Sequence, residues 1–126
     1  MRAVTLILVA FVLTGVLAAQ QPAFKRTVLQ QSDISVAGHE VISAVADFEP
    51  RATPGRHTHF GEEIGYVLEG TIVLQVDGQP PLTLHAGDTF TTPPGRVHNA
   101  RNIGTVAARA LDTYVIQKGQ PVFIVP

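Results

Sequence analysis

A chain of 126 residues leaves room for one compact domain and little beyond it. Nine Lys plus Arg against ten Asp plus Glu give a formal charge of -1, which supplies no basic field for a phosphate backbone and excludes nucleic acid as an expected partner. The absence of Cys excludes a disulfide framework, while 11 Gly and 9 Pro favour short strands joined by tight turns, so the expected class is all-β.

In chain order, Arg2 is followed by an apolar run from Ala3 through Val12 and Leu13, and then by small residues at Ala18 and Ala19. That order of charge, apolar stretch and small residues has the form of a secretory signal peptide over residues 1–19, with cleavage after Ala18 or Ala19. The expected product is a single exported domain over residues 20–126, periplasmic or secreted, with no stable membrane insertion once the leader is gone. No Cys follows the run to carry a lipoprotein anchor.

From residue 24 onward, short apolar runs alternate with turn residues, and no helical period of apolar positions lasts three turns. The expected strands are Phe24 to Leu29, Val41 to Phe48, His57 to Phe60, Glu63 to Leu68, Thr71 to Val76, Leu82 to Leu84, Thr89 to Thr92, Val97 to Arg101 and Val106 to Ile116. Asp77 and Gly78 signal a hairpin with a type I′ turn, and Pro80 and Pro81 interrupt pairing after it. Gly55, Gly70, Gly87 and Gly95 end apolar runs where the chain must turn.

Two stretches concentrate the chemistry: HTHFGEE at 57–63 and GDTFTTPPGRVHNARN at 87–102. Residues two apart on a strand share a face with Cα atoms about 6.6 Å apart, so His57 and His59 can reach one ion. The turn at Phe60, Gly61 and Glu62 brings a carboxylate back toward them. Parity allows only one of Glu62 and Glu63 to face the same way, and spacing alone leaves the choice open.

The two stretches resemble the paired motifs of the cupin superfamily. The first reads His57-x-His59, three residues, Glu63, six residues, Gly70; the second reads Gly87, five residues, Pro93-x-Gly95, two residues, His98, three residues, Asn102. The chain departs from the pattern at its entry, where the family usually has Gly six residues before the first His and this chain has Arg51. The resemblance implies a double-stranded β-helix, or jelly-roll barrel. It also implies His57, His59, Glu63 and His98 as metal ligands, with Glu62 facing away. Three imidazoles and a carboxylate suit one divalent transition metal, Mn or Fe first, with Zn, Ni, Cu and Co as alternatives.

Four protein ligands on a six-coordinate ion leave positions for a small oxygen-chelating substrate, and Glu63 can loosen to act as a base. The expected activity is a metal-dependent oxidoreductase of dioxygenase or oxidase type, or a lyase. The alternative is a non-catalytic module holding a metal or small ligand, since this fold hosts many functions. No glycine-rich nucleotide loop is present, and no DNA-binding helical segment accompanies the barrel. His39 and His85 lack ligand-like neighbours and are expected at the surface.

Alternation from the ligands places Gly65, Val67, Phe90 and Ala100 around the expected pocket, which would be small and apolar. Arg56, Arg96 and Arg101 flank the motifs and could hold a carboxylate at its mouth. Ile64, Tyr66 and Leu68 form an apolar opposite face that needs cover, either by the N-terminal strand or by a second subunit. The family resemblance favours a homodimer.

Overall fold

Burial alternates with period two along most of residues 39–48, 61–69 and 108–117, and this alternation builds the structure, a computed structural model that describes residues 19–126. The expected leader falls outside the described residues. Eight strands follow in order: β1 (Phe24–Asp33), β2 (His39–Phe48), β3 (Gly61–Glu69), β4 (Thr71–Val76), β5 (Leu82–His85), β6 (Thr89–Thr92), β7 (His98–Asn102) and β8 (Ala108–Gln117). All pair antiparallel, in a five-stranded sheet of order β1-β2-β8-β3-β6 and a three-stranded sheet of order β5-β4-β7.

The inner faces of the two sheets meet in an apolar core, and a second, smaller cluster is formed by Ile42, Ala44, Tyr114 and Ile116 of the larger sheet. Ala46, Phe48, Val67, Phe90 and Ala108 come from the larger sheet, and Ile72, Leu74, Val76 and Leu84 from the smaller. Register across the larger sheet sets the inner face in rows. One row is Arg26, Ala46, Ala110 and Val67; the next is Val28, Ala44, Asp112, Gly65 and Phe90; the third is Ile42, Tyr114, Glu63 and Thr92. The middle row depends on Gly65. A Cβ there would lie 2.1 Å from two atoms of the Phe90 ring, so the missing side chain is what lets that ring lie across β3.

Three sequence expectations change. His57 to Phe60 is not a ninth strand: His57 bridges His98 while Thr58 bridges Ile124, so the segment divides its hydrogen bonds between two partners and never forms a ladder. The Asp77-Gly78 turn takes positive φ at Gly78 alone, the pattern of a type II turn and not type I′. The Asp77 N–H there donates to the Val97 carbonyl at 3.0 Å and its carboxylate is held by Arg56. Finally, β1 lies at the far edge of its sheet and leaves Ile64, Tyr66 and Leu68 of β3 exposed.

The entry turn before the first motif is retained despite the missing glycine. The Ala52 N–H donates to the Glu49 carbonyl at 2.9 Å, with Pro50 and Arg51 central and Arg51 at φ 70°. That is the position of a type II turn where glycine is favoured, and a residue with Cβ pays for the left-handed conformation. Asn102 of β7 braces the turn from the second motif: its carbonyl accepts from the Arg51 N–H and its own N–H donates to the Ala52 carbonyl, each at 3.1 Å. Replacing Arg51→Gly should therefore raise stability by about 1 kcal/mol in urea unfolding, because it relieves the strained φ. A loss of stability would show that the Arg51 side chain contributes more than the strain costs.

Candidate metal centre

Two backbone segments bring three imidazoles to one point. His57 and His59 lie on the bridged segment between Gly55 and β3, and His98 opens β7. All three are buried, at 4%, 2% and 2% exposure. One ligating nitrogen from each lies within 4.8 Å of the others. The His59 and His98 Nε2 atoms are 3.2 Å apart, close to the separation of about 3 Å expected for adjacent nitrogens each about 2.1 Å from one ion.

Each ring is oriented from behind by a backbone carbonyl. His57 Nδ1 faces the Gly55 carbonyl at 2.7 Å, His98 Nδ1 faces the Arg96 carbonyl at 2.8 Å, and His59 Nδ1 faces the Val122 carbonyl. A carbonyl can only accept, so each Nδ1 carries the proton and each neutral ring presents its Nε2 lone pair to the interior. The C-terminal segment that supplies the Val122 carbonyl is itself fastened by paired Thr58 and Ile124 hydrogen bonds of 2.9 Å, and Phe123 packs edge-on against His57 at 6.2 Å.

Glu63 joins the group from β3. Its Oε2 lies 2.9 Å from His98 Nε2 and 3.4 Å from His59 Nε2, and it accepts a 2.8 Å hydrogen bond from Thr92 Oγ1. Burial alone would raise the Glu63 carboxyl, but hydrogen bonds with His59 and His98 hold it well below the usual carboxylate range. Burial alone would likewise lower His98, and the Glu63 carboxylate raises it instead. His57, farther from that carboxylate, is lowered to about 4 mainly by burial. An ion at this point would compete with protons for the same Nε2 atoms.

A second polar group enters the same cavity from β8. Asp112 is 4% exposed, and its Oδ1 is the one buried side-chain polar atom among the described residues with no hydrogen-bond partner. Burial, then the nearby Glu63 carboxylate, raise its carboxyl to about 7. Its Oδ2 accepts from Tyr114 Oη at 3.4 Å, and Tyr114 Oη in turn accepts from Arg26 Nε at 3.1 Å. The cavity has a volume of about 20 Å³, and its walls include His57, Glu63, His98, Asp112 and Arg26.

Phe90 and Ala100 also line this cavity, whereas Val67 belongs to the apolar core beside it. Glu62 faces solvent. Arg56 makes a bidentate pair with Asp77 at 2.7 and 2.8 Å, Arg96 donates to the Asp77 carbonyl, and Arg101 is exposed along a groove with Gln20 and Thr53. None of these three arginines is on the cavity wall. His39 is half-buried, with Nδ1 3.0 Å from the Ala37 carbonyl, and His85 is exposed beside Asp88. Arg26 and Asp112 were missed by motif spacing, although alternation carries a signal for Asp112: it shares its parity with Ala110, Tyr114 and Ile116 and is the one charged residue in that buried register.

The family model described as "Cupin domain" matches residues 44–114. Among curated proteins, the HTH-type transcriptional regulator PuuR of Escherichia coli K12 is 38% identical over 68 residues, which cover 53% of this chain and 36% of the regulator. The chain thus spans about a third of that relative's length. Among solved structures, an oxalate oxidase aligns at 28% identity and a TM-score of 0.61, over 68% of this chain and 46% of that one. A cupin superfamily protein of Desulfitobacterium hafniense aligns at 21% identity and a TM-score of 0.64, over 79% and 84% of the two chains.

Proposed function

This chain belongs to the cupin family, and from that membership we propose that it binds one divalent transition metal through His57, His59 and His98, with Glu63 as the fourth protein ligand. The observation that carries this reading is the backbone carbonyl behind every imidazole, which turns three buried Nε2 lone pairs inward beside one carboxylate, itself an acceptor, so that only a cation can satisfy all four together. Mn or Fe suits this donor set best, and such an ion would supply Lewis-acid or one-electron chemistry to an oxygen-bearing ligand. Around it, Thr92 holds Glu63 in place and the Phe90 wall limits water.

The function favoured is a metal-dependent oxidoreductase, or a lyase, acting on a small oxygen-chelating substrate. The likeness to an oxalate oxidase supports that class over part of the chain. A non-catalytic metal- or ligand-binding module is the second reading, favoured by the small inner volume of about 20 Å³. The leader-like first nineteen residues support export as the setting. Metal analysis of the protein purified from its native compartment should find about one equivalent per chain. The His57→Ala, His59→Ala double variant should hold under about a tenth of that, because two of three nitrogen donors are gone. Equal metal in the two proteins would refute the site.

The outer face of the larger sheet supports pairing of two copies. Tyr66 shares an outward row with half-buried Leu111 and buried Val45, and Ile64 and Leu68 flank it, so the exposed apolar surface lies along β3. Size exclusion with light scattering at micromolar concentration should give twice the chain mass. A monomer would contradict the pairing.

A further inference from the structure

Arg26 is placed as a recognition group that the metal site leaves unused. It is contributed by β1, whose pairing sets it opposite Ala46 on the inner face, and small side chains at Ala46 and Ala110 leave the space through which the guanidinium reaches toward Tyr114. Three aromatic rings hold it: its Cζ lies 5.3 Å from the Phe24 centroid, 5.7 Å from Tyr114 and 5.2 Å from Phe123. Its Nε is spent on Tyr114 Oη. Among the described residues no carboxylate pairs with it, whereas Arg56, Arg109 and Lys118 each have an acidic partner. A guanidinium held in place by aromatic rings, with its two terminal nitrogens uncommitted, is a ready fork for a carboxylate.

Its position joins two spaces. The inner cavity and an outer pocket of about 200 Å³ lined by Phe24, Arg26, Pro54, His57 and Phe123 share Arg26, Pro54 and His57, so Arg26 stands where the mouth narrows toward the metal centre. The mouth beyond it is walled by apolar rings. On the inner side, Asp112 lines the same cavity and its buried Oδ1 has no partner, although buried polar atoms are nearly always satisfied. Asp112 and Arg26 are linked through Tyr114 Oη by hydrogen bonds of 3.4 and 3.1 Å, so one small molecule can touch both.

We propose that the outer pocket and the neck of the inner cavity together bind a small 2-hydroxycarboxylate, its carboxylate held by the free nitrogens of Arg26, its hydroxyl reaching inward to donate to Asp112, and its short aliphatic end resting between Phe24, Pro54 and Phe123. This rests on the metal reading above and adds to it the class of ligand and the residues that select it. Carboxylate and hydroxyl on adjacent carbons span the gap that Tyr114 bridges. Neither Arg26 nor Asp112 is among the proposed metal ligands, so their replacement leaves the donor set intact.

Calorimetric titration of the protein with lactate, propionate and lactamide tests the assignment, with metal assayed in every sample. Lactate should bind at least about tenfold more tightly than lactamide, which lacks the charge, and about tenfold more tightly than propionate, which lacks the hydroxyl. Arg26→Gln should weaken lactate by about tenfold or more at unchanged metal content, and Arg26→Lys, which keeps charge without the planar fork, should fall between. Asp112→Asn should erase most of the preference for lactate over propionate. Equal lactate affinity in wild type and Arg26→Gln, or lactamide binding as well as lactate, overturns the inference. A wild-type protein without metal contradicts the metal reading instead, and the lactate comparison at Arg26 still decides this one because Arg26 is not a proposed metal ligand.

Discussion

The structure of the site depends on three imidazole rings whose Nδ1 atoms are all turned toward main-chain carbonyls. A ring fixed at one nitrogen has no freedom to choose which nitrogen faces inward, so the carbonyls of Gly55, Arg96 and Val122 determine that the Nε2 atoms converge. Those carbonyls come from a turn, a turn and the C-terminal segment, which ties the metal centre to connections outside the regular ladders. Burying three imidazoles and a carboxylate this closely is costly unless their charges and lone pairs are matched. The 2.9 Å contact of Glu63 with His98, and the Thr92 hydroxyl behind it, supply part of that match.

The sheets make this arrangement possible by keeping the interior side chains small where the polar groups need space. Ala44, Ala46, Ala108 and Ala110 are buried on two neighbouring strands, and Gly65 lets the Phe90 ring lie across the third. The resulting cavity is lined by polar Glu63, His98 and Asp112 together with apolar Phe48, Ile72 and Leu74. The polar groups present charge and hydrogen-bonding capacity to a ligand, and the apolar ones keep water scarce, which strengthens the electrostatic contacts there. Arg26 also lines this space.

Much of the fold was legible because strands carry a strict period of two. Choosing Glu63 as the inward residue of β3 sends Glu62, Ile64, Tyr66 and Leu68 outward, and their exposure follows that parity. The motif spacing likewise placed His57, His59 and His98 together, since a two-residue step keeps side chains on one face even where the segment forms only isolated bridges. Three features were not legible. The turn type at Asp77 depends on a backbone hydrogen bond to Val97, a residue twenty positions away. Arg26 reaches the cavity only through the pairing of β1 with β2, a register the sequence does not state. The segment after β8 is too short and irregular to show a period, yet Val122 orients His59 and Ile124 secures Thr58. Long-range pairing decides these cases, and local pattern has no access to it.

The central claim is that the three histidines hold one ion through Nε2. X-ray absorption spectroscopy at the metal edge of the purified, metal-loaded protein tests it most directly. The account predicts about three imidazole nitrogens at about 2.0–2.2 Å, with the outer-shell scattering of intact rings and one or more oxygens completing the shell. A first shell made of oxygen alone, with no imidazole scattering, would contradict it.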